Sequence, residues 1–118
     1  MSNFELGVAA FQAGDYTKAF QILSPIAREG DAEAQCIVGN IYELGLGIDP
    51  DLSEAIEWYR RAAEQGYIIA QNNLGNLYLS QGDTKQAIEW LSKAADRGFP
   101  LARATLENMP MDIERVAL

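Results

Sequence analysis

Apolar residues recur along this chain at the spacing of a helix face, in blocks that break at Gly, Asp and Pro. Within residues 67–79, Ala70, Leu74, Leu77 and Tyr78 fall at steps of four, three and one, which lines one face of a helix. Within 83–97, Ala87, Ile88, Trp90, Leu91, Ala94 and Ala95 do the same over two turns. The pattern predicts helices near 3–12, 16–28, 32–44, 52–65, 68–80 and 84–97, with a seventh over about 100–108. Their ends carry the matching signals. Ser2 with Glu5, Asp51 with Glu54, and Asp83 with Gln86 have capping-box spacing. Gly30, Gly66 and Gly98 stand where a left-handed residue stops a helix. Arg28, Arg60, Arg61 and Arg97 gather near C-terminal ends, where the helix dipole favours positive charge.

The blocks repeat. Val38-Gly39 and Tyr42 return 36 residues later as Leu74-Gly75 and Tyr78, whereas Ala55, Trp58, Ala62-Ala63 and Gly66 return 32 later as Ala87, Trp90, Ala94-Ala95 and Gly98. The difference of four locates an insertion in the loop Gly45-Leu46-Gly47-Ile48-Asp49-Pro50. A more degenerate copy opens the chain, with Leu6-Gly7, Gly14-Asp15, Ala19 and Gly30 in register. We read one domain over 1–118, with repeats at about 1–30, 31–66 and 67–98 and a capping helix and tail over 99–118. Antiparallel helix pairs with short links stack as an all-α, α/α superhelical solenoid. Gly39 and Gly75, with Ala55, Ala62, Ala87 and Ala94, let neighbouring helices approach closely. The seventh helix keeps only Ala102 and Leu106 of the pattern, and Arg103, Glu107 and Asn108 suit a polar outer face. The tail from Pro110 to Leu118 either frays or folds back as a short helix.

Composition narrows the function classes. A hydrophobic share of 48% in 118 residues suffices for a core. No apolar run approaches the length of a membrane span, and the start lacks a signal-peptide pattern, so a cytoplasmic protein is expected. Cys36 is the single cysteine, which excludes an internal disulfide. The net charge of -8 argues against nucleic acid and anionic membranes as partners and mildly favours a basic protein.

Ala34, Val38-Gly39, Tyr42, the Gly45-Leu-Gly-Ile loop, Ala55, Trp58-Tyr59 and Ala62-Ala63-Glu64-Gln65-Gly66 together resemble the Sel1-like repeat family. The match runs well over 31–98 and loosely over 4–30, and the third copy departs by losing the loop. The resemblance implies a relative of the tetratricopeptide solenoids, a protein-binding adaptor with no catalytic activity of its own. Some bacterial members close each repeat with a disulfide, and this chain lacks those pairs.

A search for chemistry agrees. Histidine is absent, which removes Ser-His, Cys-His and His-metal arrangements. Gly45-Leu-Gly47 lacks the Gly-Lys-Ser/Thr of a phosphate loop. Asp49-Pro-Asp51-Leu-Ser53-Glu54 starts like a calcium loop but has glutamate at the turn glycine and Arg60 at the bidentate carboxylate. No catalytic residue, metal or cofactor is expected. Trp58 and Trp90 share register with flanking alanines, which places them in the core.

Two features point to a partner. From Glu29 to Glu57 there are eight acids and no Lys or Arg, a block able to steer a basic protein or, alternatively, to serve capping and solvation. On the first helix of each pair, Val8, Asn40, Asn76 and Asn108 share one register position, and spaced asparagines can hold a peptide backbone. By analogy with tetratricopeptide arrays that helix lines a concave face, so Glu33, Cys36, Asn40, Glu43, Leu44, Ile69, Asn72, Asn76, Leu79, Ser80 and Asn108 are the candidate partner-binding residues. The expected role is an adaptor for another protein or peptide. The alternative is a dedicated inhibitor or immunity-type protein that blocks a basic enzyme or toxin. With few repeats and exposed apolar repeat edges, self-association stays open.

Overall fold

The computed structural model describes residues 1–109; the tail from Pro110, with both readings of it, lies outside the described residues. Among those residues the protein is all-α, with α1 (Asn3–Gln12), α2 (Tyr16–Arg28), α3 (Ala32–Leu44), α4 (Leu52–Glu64), α5 (Ile68–Ser80), α6 (Thr84–Asp96) and α7 (Pro100–Asn108). The expected spans hold, with α4 and α6 ending one residue early because Gln65 and Arg97 serve as C-caps.

Those ends show why glycine was placed there. Gly66 takes φ of 89°, its N–H donates to Ala63 O at 2.9 Å and that of Tyr67 donates to Ala62 O at 3.1 Å. This pair of bonds is the Schellman motif, which uses carbonyls the helix leaves orphaned. Equivalent pairs close α2 and α6. At the other ends, Ser2 and Glu5 form a complete capping box, and Asp31, Asp51 and Asp83 each accept from a first-turn N–H. Glu54 departs from its expected reciprocal role: its carboxylate accepts from Trp58 Nε1 at 3.1 Å, one turn along α4.

The chain divides into two compact units, Met1–Tyr67 and Ile68–Leu118. In the first, α1 pairs with α2, α2 with α3 and α3 with α4. Ala19, Leu23, Ala27, Ala34, Val38 and Trp58 form its core, edged by Phe4, Phe11, Phe20 and Tyr42. The inserted loop turns against the start of α2, since a Cβ at Gly47 would sit 3.3 Å from Thr17 N, and Asp51 N donates to Tyr42 O at 2.9 Å to close it. In the second unit, α6 packs on both α5 and α7. Ala87, Leu91, Ala94, Ala95, Ala102 and Met109 form that core.

Each helix pair is drawn together by one glycine. A Cβ on Gly7 would meet Leu23 at 2.5 Å, one on Gly39 would meet the Tyr59 ring at 2.6 Å, and one on Gly75 would meet Leu91 at 2.6 Å. The largest fully buried side chain of each second helix therefore sits where the first helix has none. Trp58 and Trp90 are buried as expected, and each carries a cation on its face, Arg61 and Lys93, at 4.7 Å from the ring centroid.

Candidate functional site

In the second repeat two of the candidate residues, Asn40 and Glu43, turn toward the hairpin's own interior. Tyr59 on α4 is fully buried, and its hydroxyl lies 2.6 Å from Asn40 Oδ1 and 2.7 Å from Glu43 Oε1, with the O–H as donor. One phenolic proton serves one acceptor at a time. The carboxylate is the stronger acceptor, and turning the Asn40 amide presents an N–H to the phenol oxygen, so both contacts are satisfied. Burial, followed by the hydrogen bond to Glu43 and its charge, pushes the Tyr59 phenol well above its ordinary value of 10.0. Asn40 and Glu43 are half-buried in consequence.

In the third repeat the equivalent positions build something else. Leu91 replaces Tyr59 and Leu79 replaces Glu43, so Asn76, the counterpart of Asn40, has no phenol beneath it and is exposed. Asn72, Asn76 and Leu79 of α5 face Leu101, Ala104, Thr105 and Asn108 of α7, with Met109, around a groove of about 550 Å³. None of these side chains is charged. Asn72 is only 6% exposed, and its Oδ1 has no hydrogen-bond partner among the described residues. Thr105 spends its hydroxyl on Leu101 O at 2.9 Å, within α7. The arrangement offers amide groups above an apolar floor and provides nothing to activate a nucleophile or move a proton.

Four of the candidates, Asn72, Asn76, Leu79 and Asn108, thus meet at one groove, and Asn40 and Glu43 meet at Tyr59. Glu33, Leu44, Ile69 and Ser80 are exposed without joining either set, and Ser80 Oγ donates to Leu77 O at 2.7 Å. Cys36 needs correction as a surface residue: it is 3% exposed, because its side of α3 packs inward. Sequence reasoning missed Tyr59, Leu101, Ala104, Thr105 and Met109. The register offered one signal, since Leu101 is the counterpart of the candidate Ile69, and both are exposed, at 66% and 42%. Of the acidic block, Glu29, Asp31, Glu33, Asp49 and Asp51 are exposed in the first unit. Glu57 is engaged by Arg60 and by Arg61, the latter at 3.1 Å.

Among the described residues no helix is long and apolar enough to cross a membrane. No group of three Cys, Asp or Glu is placed to hold a metal there.

Residues 32–67 and 68–99, more than half of the chain, match the Sel1 repeat. Chitin synthase regulatory factor 3 of Schizosaccharomyces pombe is 43% identical over 58 residues, covering 49% of this chain and 6% of that protein. The ERAD-associated E3 ubiquitin-protein ligase component HRD3A of Arabidopsis thaliana is 33% identical over 66 residues, covering 55% of this chain and 10% of that protein. A protective antigen of uropathogenic Escherichia coli strains, displaying an SLR fold, superposes with a TM-score of 0.82 at 34% identity, over 88% of this chain and 24% of that one. The chain therefore spans a small part of each curated relative and about a quarter of the solved one. Its fold is an all-α helical repeat.

Proposed function

Since the chain belongs to the Sel1 repeat family, whose repeats bind other proteins, we propose that it is a non-catalytic binding module, an adaptor for a protein or peptide partner. The partner meets the exposed faces of the first helix in each pair: Glu33 and Leu44 on α3, Ile69, Asn76 and Leu79 on α5, and Asn108 on α7. The observation that carries this reading is the preformed groove between α5 and α7, whose size is that of ordinary ligand sites. A preformed groove loses little conformational entropy on binding, so modest contacts yield useful affinity. The cytoplasm is the proposed setting, in keeping with one buried cysteine.

The test is a pull-down from the native host's lysate with the wild type, Asn76→Ala with Asn108→Ala, and Glu33→Lys. Loss of a captured protein with the asparagine pair supports the adaptor reading at the groove. Capture of nothing by any of the three contradicts it.

The exposed acids of the first unit favour a second reading, an inhibitor or immunity-type protein that blocks a basic enzyme or toxin. A steered inhibitor loses association rate steeply as salt rises, because screened charges no longer guide encounter. Loss of capture with Glu33→Lys alone, together with that salt dependence, selects this alternative.

A further inference from the structure

We infer that the groove between α5 and α7 takes an extended, uncharged segment of a partner protein with apolar side chains, its backbone bonded to Asn72 and Asn76. This rests on the binding-module reading and names the partner's chemistry.

Charge is the first argument. The chain carries a net charge of -8, yet every described residue lining this groove is neutral. A ligand defined by a carboxylate, phosphate or ammonium group finds no counter-charge there. A charged side chain entering the groove loses hydration without compensation.

The second argument is the unmet acceptor. Asn72 is nearly buried at the groove, and its Oδ1 lacks a donor among the described residues. A buried acceptor without a donor is costly; the Oδ1 is itself out of contact with solvent, so the Asn72 side chain must turn toward the groove to accept from an incoming backbone N–H. Asn76 lies one turn further along the same helix face. Four residues of helix rise about 6.0 Å, and same-side groups of an extended strand recur at about 6.6 Å, so the spacing of the two amides is close to that of every second residue of a peptide.

The third argument comes from the repeat itself. In the second repeat the Tyr59 hydroxyl engages both the Asn40 amide and the Glu43 carboxylate. Tyr59 and Glu43 are both replaced by leucine in the third, which frees Asn76 for an outside partner and makes the groove wall apolar. Leu101, 66% exposed on the facing helix, completes that wall.

The test uses the full chain, isotope-labelled, titrated with pools of short N-acetylated, C-amidated peptides that are neutral and apolar, basic, or acidic. We expect the neutral pool to bind, to shift the side-chain amide signals of Asn72, Asn76 and Asn108, and to keep its affinity from low to high salt. Leu101→Glu, at an exposed position that tolerates polarity, should weaken binding by about tenfold or more, as should N-methylation of the peptide backbone. Preferential, salt-dependent capture of the basic pool overturns the inference, as does binding by no pool or binding indifferent to N-methylation. Displacement by a peptide of residues 110–118, or a concentration-dependent dimer that shifts the same signals, assigns the groove to this chain's own segments and also overturns it. A lysate partner retained by Leu101→Glu sinks this inference and leaves the binding-module reading standing; that reading fails only if nothing is captured.

Discussion

The second and third repeats share a backbone plan and differ in what lies beneath one asparagine. Both use a glycine on the first helix to seat the largest fully buried residue of the second, Gly39 against Tyr59 and Gly75 against Leu91. In the second repeat that residue has a hydroxyl, and Asn40 and Glu43 turn to meet it. In the third the hydroxyl and the carboxylate are both gone, and Asn76 faces outward at a neutral groove. The exchange is paired, because a buried phenol demands a partner and a buried leucine does not. The same scaffold thus produces one hairpin closed by an internal polar network and another whose asparagine is exposed at an apolar groove.

The comparison can be broken at its glycines. Gly39→Ala drives a Cβ into a fully buried aromatic ring, and we expect a loss of about 1–3 kcal/mol in chemical denaturation, beyond the gain from helix propensity. Gly75→Ala meets Leu91 at Cγ and, at 3.2 Å, at its backbone N, so it should cost about as much. A cost confined to Gly39→Ala would mean that Leu91 turns aside and the close approach of α5 and α6 does not matter.

Tyr59→Phe removes the hydroxyl and leaves a half-buried carboxylate without its donor. The expected loss is about 1.5–3 kcal/mol, the range for a hydrogen bond to a charged group. Its pH dependence gives a second readout. The phenol's folded pKa is raised above 10.0, mainly by burial, so its stabilisation is complete below about pH 10 and is lost as pH rises through the folded value, because only the unfolded chain readily releases the proton. Tyr42 and Tyr67 are raised in the same direction, also chiefly by burial. The wild type should therefore lose stability above pH 10 more steeply than Tyr59→Phe, without Tyr59→Phe becoming flat. Identical slopes would remove Tyr59 from the account.

Grafting sharpens the contrast further. Leu91→Tyr should destabilise alone, and adding Leu79→Glu should recover about 0.5–1 kcal/mol by a double-mutant cycle, since the pair recreates Tyr59 with Glu43. Purely additive effects would show that the exchange is not a matched pair.

Most of the fold was legible, because helix spacing, aspartate caps and terminal glycines are local signals. The half-met capping box at Asp51 was not, since Trp58 competes for Glu54 from one turn along. The groove was half legible. Counting register placed Asn72, Asn76, Leu79 and Asn108 on one face, but α7 lacks the glycine that marks the other copies, so Leu101 and Met109 were passed over. Asn40 and Glu43 were read as surface groups because their partner is 19 and 16 residues away, on the next helix. Nothing in the periodicity of α3 reports a hydrogen bond to α4. Cys36 was counted on the same surface, yet a small residue of the third helix also suits burial, and that is where packing holds it.

The most direct test of the contrast is the stability of Asn40→Ala beside Asn76→Ala, measured by chemical denaturation under identical conditions. We predict that Asn40→Ala costs about 1–2 kcal/mol, because it takes a partner from the buried Tyr59 hydroxyl, and that Asn76→Ala stays within about 0.5 kcal/mol of wild type, as an exposed position should. Equal losses, or the larger loss at Asn76, would contradict the claim that one repeat closes its asparagine inside and the other leaves it for a partner.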